Sequence, residues 1–348
     1  MKKLLKVRLY NLLNKPIGKM ALKALSKSIY VKNLKKAAKS ADRGKKKFLI
    51  AITIDTESGY VKKNNERVWQ KDAPEAYIGY YRGIENWRNL LSRHNAKATF
   101  FLSTNCFSAK DNELLKIKKQ LNLLNKEKHE IGLHMHPDSD LALQMALKER
   151  FRYTSAKFYG YDKINKFIEA SKQLIKKNIG INPVSFRWGN WALNTDAVKA
   201  LQANGFKADS SATPGIKGHL NDGMHYDWSK VSGHHPWKLS LKDYQDTNNQ
   251  NSKILEIPIA TFSLMGKTLR ADTVYSELLK AVFDYYYRNA DRSKKPFAFV
   301  VISHSMESTH EDGSPTQVIK DAEEFIRHAK QFDDVEFVTI NGAYKRIG

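Results

Sequence analysis

The chain has 348 residues, 41% of them hydrophobic, enough for one large domain or two ordinary ones with a sizeable core. Its net charge of +23 is uneven: residues 1–47 hold 16 Lys/Arg and the single acid Asp42, leaving only +8 on the rest, which argues against a nucleic-acid groove. Cys106 is the only cysteine, which excludes an internal disulfide and the Cys-rich zinc motifs, and fits a reducing, cytoplasmic compartment.

In chain order, the N-terminus begins like a signal peptide, but Lys6, Arg8, Lys15 and Lys19 interrupt its apolar residues. No stretch of the sequence is apolar enough to span a membrane. From Ile17, the residues Met20, Ala21, Ala24, Leu25 and Ile29 share one helical stripe, with Lys19, Lys23 and Lys27 on another. This predicts a basic amphipathic helix, suited to an anionic membrane surface through residues 1–40; a helix packed on its own domain or a solvated tail is the plainer reading. "ADRGKKK", residues 41–47, reads as a linker, so residues 1–47 form a tail and 48–348 the main domain.

Eight short apolar runs follow, "KFLIAITID", "KATFFLS", "EIGLHMHP", "PVSFRWG", "FKADSSA", "KILEIPIA", "FAFVVISHS" and "EFVTI", each a candidate strand. Helical patterns fall between them at about 73–95, 113–128, 161–179, 194–204, 275–292 and 315–331. The alternation predicts an α/β fold, a (β/α) barrel that is distorted or incomplete in preference to a doubly wound sheet. Residues 213–252 break the rhythm, and their aromatic and histidine content marks a functional insertion at the substrate loops rather than disorder.

In a parallel barrel the site gathers at the C-terminal ends of the strands. Those ends carry Asp55 and Glu57, then His134 and His136, then Arg187, Trp188 and Trp191, then Asp209, then His304 and Glu307. Alternate residues of a strand share a face, so His134 and His136 can meet one ion. Two acids and two histidines supply oxygen and nitrogen ligands for a borderline divalent metal such as zinc, leaving a carboxylate and a third histidine for acid and base work. Singly, each has a plain alternative: a helix cap, a satisfied core histidine, a structural ion pair.

These residues resemble the polysaccharide deacetylases, family-four carbohydrate esterases, over about residues 48–345. "AITIDTE" resembles the family's first motif, "HEIGLHMHPD" the second, "FRWGNW" the third, "ADSSATPG" the fourth and "VISHSMES" the fifth. "HSME" and "YDWSKVSGHHPW" are similar to the subgroup associated with surface-polysaccharide biosynthesis. Three departures stand out: Thr56 separates two acids that the family places side by side, the histidines are two apart instead of four, and Gly189 replaces a proline.

The resemblance implies a metal-dependent hydrolase removing an acyl group, such as acetyl, from a sugar or glycan. Glu57, His134 and His136 would hold the metal, Asp55 would act as base with Arg187 orienting it, and His304 would protonate the leaving group. The first motif leaves open which of Asp55 and Glu57 is the ligand. Trp188, Trp191, Asp209, Trp228 and Trp237 are candidate substrate contacts, the tryptophans as flat surfaces for sugar rings. The alternative is a noncatalytic glycan-binding protein on the same fold.

Overall fold

In a computed structural model, the structure describes Met20, Ala24 and residues 46–63, 66–69, 74–219, 225–264 and 266–348. The expected tail and linker, residues 1–47, therefore lie almost wholly outside the described residues, as do residues 220–224 of the expected insertion.

Among the described residues nine strands build the main sheet: β1 Phe48–Thr56, β2 Ala98–Ser103, β3 Glu130–Met135, β4 Ser185–Trp188, β5 Ala208–Asp209, β6 Trp237–Lys238, β7 Leu255–Glu256, β8 Phe297–His304 and β9 Val335–Phe337. Their spatial order is β6-β7-β5-β4-β3-β2-β1-β8, with β9 paired to the start of β1. Every pairing is parallel except that of β6 with β7. Parallel bridges from Ile259 to Val300 and from Asp272 to Ile302 join the two ends of the sheet, so it curls into a distorted (β/α) barrel.

The periodicity of β1 shows why this sequence takes that form. All nine residues are buried, as in a sheet covered on both faces. Phe48, Ile50, Ile52 and Ile54 pack against the outer helices, while Leu49 and Ala51 join the barrel interior with Phe101, Val300 and Ile302. The same alternation turns Thr53 and Asp55 inward, and in β8 it turns His304 inward after Ala298, Val300 and Ile302.

Eight α-helices surround the sheet among the described residues: α1 Ile84–Arg93, α2 Asp111–Lys126, α3 Leu141–Leu147, α4 Tyr161–Ile179, α5 Thr195–Ala203, α6 Glu277–Asn289, α7 Gln317–Ala329 and α8 Ile340–Ile347. α4 buries Ile164, Phe167, Ile168 and Ile175 and stops at Gly180, whose φ of 72° is the left-handed conformation that favours glycine at a helix end. Two short helices, α3 and α8, were not expected. "EFVTI" reads as a strand, yet β9 ends at Phe337 and Thr339 caps α8 by accepting from the Gly342 amide. Ile340, Ala343 and Ile347 then plug the barrel at the end opposite the site. Within 213–252, Lys217–His219 and His225–Asp227 form a small antiparallel hairpin.

Candidate metal and catalytic site

Strand register builds the site layer by layer. Asp55 and His304 are register partners on β1 and β8, and His134 and Arg187 are partners on β3 and β4. Residues aligned on neighbouring strands point to the same face, so these four converge inside the mouth of the barrel. One layer below, Gly132 leaves room for the Phe101 ring, which a Cβ would meet at 2.7 Å. The Arg187 guanidinium lies 4.3 Å from the centroid of that ring.

Arg187 is fully buried and fully engaged. It donates to Asp55 Oδ1 at 2.6 Å and through Nε to the Ser210 carbonyl at 2.8 Å, and it also donates to Ser210 Oγ at 3.1 Å. This fixes one oxygen of Asp55 and leaves Oδ2 facing the mouth, 3.9 Å from His134 Nε2 and 4.0 Å from His304 Nε2.

Glu57, His134 and His136 form the second group. Each offers a ligand atom, and the three atoms lie within 4.8 Å of one another. Glu57 Oε2 is 2.8 Å from His136 Nε2 and 3.6 Å from His134 Nε2. The two Nε2 atoms face each other at 3.1 Å. His134 Nδ1 lies 3.1 Å from the Arg187 carbonyl, an acceptor only, so Nδ1 carries the proton and Nε2 keeps its lone pair for the site. His136 Nδ1 is likewise held by Thr154 Oγ1 at 3.0 Å. Two imidazole lone pairs and a carboxylate aimed at one point repel each other unless a cation or proton lies between them, and that donor set fits a divalent metal. Burial alone would raise the Glu57 carboxyl, but the two histidines outweigh it and hold the group well below the usual carboxylate range. Burial works against His136 charging, yet Glu57 raises it.

Gly189 explains how a two-residue histidine spacing reaches the site. The His136 ring lies where a side chain at 189 would begin: a Cβ would meet it at 2.4 Å. The proline expected from the family motif has no space here, so two of the departures seen in sequence are linked.

On the far side, His304 Nδ1 sits 3.3 Å from Glu307 Oε2. Burial opposes the imidazolium, but Glu307, Asp55 and Glu57 push its pKa up to about 10, so it holds a proton at neutral pH. Asp272, anchored beside β8, is raised to about 7 by burial and by Glu307.

The other expected contacts divide. Trp191 is partly exposed at the mouth. Trp188, Trp228 and Trp237 are buried in the core beside α4 and α5, which corrects the expectation that they offer faces to sugar rings. The Trp188 indole donates to the Thr154 carbonyl and the Trp228 indole to the Trp191 carbonyl, so both fix the backbone of the site. Asp209 is also fully buried, accepting from the Ser211 amide and hydroxyl, with Glu256 as its register partner; it supports the strand ends and does not line the mouth. Thr154 and Asp272 escaped sequence reasoning, whereas Ser210 could be read beside Asp209 at a strand end. Nothing in "FRYTS" marks Thr154, because its partner is 18 residues away in an irregular segment.

Residues 78–208 match a family model described as polysaccharide deacetylase, a stretch that contains His134, His136 and Arg187. No curated protein is a significant match to the chain. Among solved structures, a Mycobacterium smegmatis protein provisionally named a polysaccharide deacetylase is 17% identical, with 87% of this chain and 90% of that one covered and a TM-score of 0.56. A Pseudomonas aeruginosa PAO1 structure named as a probable polysaccharide deacetylase is 14% identical, with 86% and 90% covered and a TM-score of 0.55. Puue allantoinase is 12% identical, with 86% and 89% covered and a TM-score of 0.57. At these identities the structures establish the shared fold, and the family model bears out the resemblance to polysaccharide deacetylases read from the motifs.

Proposed function

From that resemblance as premise, we propose that the chain is a metal-dependent hydrolase that removes an acyl group, such as acetyl, from a sugar. The carrying observation is the pairing of two groups in one mouth: the Glu57, His134 and His136 cluster, and Asp55 held by Arg187 with His304 opposite. Asp55, Glu57 and His304 lie outside the stretch matched by the family model and are joined to it by geometry alone.

Glu57, His134 and His136 would hold a divalent metal, zinc by the nature of the ligands, which when bound polarises an acyl carbonyl and acidifies a water. Asp55 takes the proton of the attacking water through Oδ2, since Oδ1 is committed to Arg187. Arg187 holds that carboxylate in place and leaves Oδ2 free for the water. His304 carries a proton at neutral pH and gives it to the departing amine or alcohol. A glycan-binding protein has no need of a base, a ligand set and an acid in one mouth.

The wider setting is part of the same proposal: a role in surface-polysaccharide biosynthesis, in the cytoplasm, with residues 48–348 as the catalytic domain, 213–252 supplying substrate loops and the basic tail resting on an anionic membrane. Acetate release from N- and O-acetylated sugars tests the chemistry. Release that stops with a chelator, returns with zinc and falls by about 10²-fold or more in Asp55→Asn is expected; turnover that ignores both treatments overturns it.

A further inference from the structure

The hydrolytic groups leave the cation of Arg270 without a task. Arg270 ends the strand Lys267–Arg270, and Asp272 two residues on bridges to Ile302 of β8, which anchors this segment beside His304. The Arg270 guanidinium lies 3.3 Å from the centroid of the Trp191 ring and 5.4 Å from that of Tyr226. Trp191 reaches this position through a strained turn. Asn190 and Trp191 have φ of 50° and 58°, left-handed values that cost a non-glycine residue energy and persist only where surroundings impose them. Here the surroundings are identifiable, because the buried Trp228 indole donates to the Trp191 carbonyl at 2.9 Å. The turn that begins at Gly189, against His136, thus also seats Trp191 under Arg270.

Two guanidinium nitrogens of Arg270, Nε and Nη2, are buried with no acceptor among the described residues, and the neighbouring Tyr226 hydroxyl gives the cation polar support. They form one edge of the guanidinium, the fork that grips two oxygens of a carboxylate or phosphate. Leaving a charged fork unpaired away from water is costly. Asp272, a nearby carboxyl, is partly neutral at pH 7 because burial and Glu307 raise it, so it is a weak counter-charge. The Arg270 side chain as a whole is only partly buried, and the Trp191 ring on which it sits is two residues from Gly189, which lies against His136.

We infer that Arg270, seated on Trp191, is an anion subsite, so that the acylated sugar carries a carboxylate or phosphate near the acyl group removed. This rests on the hydrolase reading for what is hydrolysed, but its recognition chemistry is tested separately. The probes are methyl glucuronide, glucose 1-phosphate and neutral methyl glucoside, titrated calorimetrically into the full-length protein and its variants. The wild type should bind one anionic probe about tenfold or more tightly than the glucoside, and the arm showing the preference tells carboxylate from phosphate. Arg270→Gln should abolish that preference. Arg270→Lys keeps the cation and loses the fork, so the preference should fall there too, and this variant carries the test if Arg270→Gln does not fold. Equal binding of all three probes by the wild type, or a preference unchanged in the folded variants, overturns the subsite. Acetate release in the same samples separates the two readings. Anion preference without release from any acetylated sugar leaves the subsite and sinks the hydrolase; release without preference does the reverse.

Discussion

A methyl group at position 189 has nowhere to go, since it would lie 2.4 Å from the His136 ring. Gly189→Ala should therefore displace His136, weaken zinc binding by about 10- to 100-fold, the usual effect of disturbing a ligand's support, and cost roughly 1–3 kcal/mol of stability by overpacking. Competition titration against a zinc indicator reads the effect, and unchanged affinity would show that His136 is not a ligand. The two acids should separate in the same assay. Glu57→Gln should weaken zinc, whereas Asp55→Asn should keep zinc and lose turnover, because Arg187 already claims one Asp55 oxygen. Loss of zinc in Asp55→Asn reverses the assignment. At this scale the sequence was most legible where chemistry narrows the choice of side chain: Asp55, Glu57, His134, His136, Arg187 and His304 could be read from strand ends and all gather in one mouth. The tryptophans could not be sorted, since an indole serves as core or as platform with the same atoms, and only the surrounding packing decides.

Helix α1 presses its beginning onto the turn that follows His304. Gly83, just before it, has no room for a side chain: a Cβ would meet the Ser305 carbonyl at 2.2 Å. Gly83→Ala should cost roughly 1–3 kcal/mol by overpacking and lower kcat through the shifted loop, read by chemical denaturation alongside the acetate assay. Wild-type stability with wild-type kcat would mean the loop yields freely. A second test belongs to the start of β3. His129 accepts from the Ala98 amide through Nδ1 beneath the Phe100 ring, and burial, aided by Lys97, lowers its pKa to about 4. Its folded pKa is below the unfolded value of roughly 6.5, so the unfolded state binds more protons between them and stability rises with pH there. The contribution is present above about pH 6.5 and lost as pH falls towards 4, at roughly 1 kcal/mol per pH unit at its steepest. His129→Asn, which preserves an acceptor, should flatten that slope; an identical pH profile removes the claim. Long elements such as α4, expected at 161–179 and found at Tyr161–Ile179, were legible because period and cap agree. The short strand β6 and the short helices α3 and α8 were not, because tertiary closure of the barrel sets them and local pattern does not.

For the molecule as a whole, strand alternation marks the barrel, and the fold then assembles from distant segments a site that no single stretch contains. The uneven charge makes a whole-molecule prediction. Full-length protein should float with anionic vesicles, be released by high salt as screening weakens the attraction, and stop floating when residues 1–40 are deleted, with acetate release from a soluble sugar unchanged. Flotation that survives the deletion discards the tail as the anchor. The central claim is that Glu57, His134 and His136 hold one metal for hydrolysis, and metal stoichiometry tests it most directly. Elemental analysis of the purified protein after dialysis against zinc should find about one equivalent in the wild type and almost none in the His134→Ala, His136→Ala double variant. Full occupancy in that double variant would contradict the account.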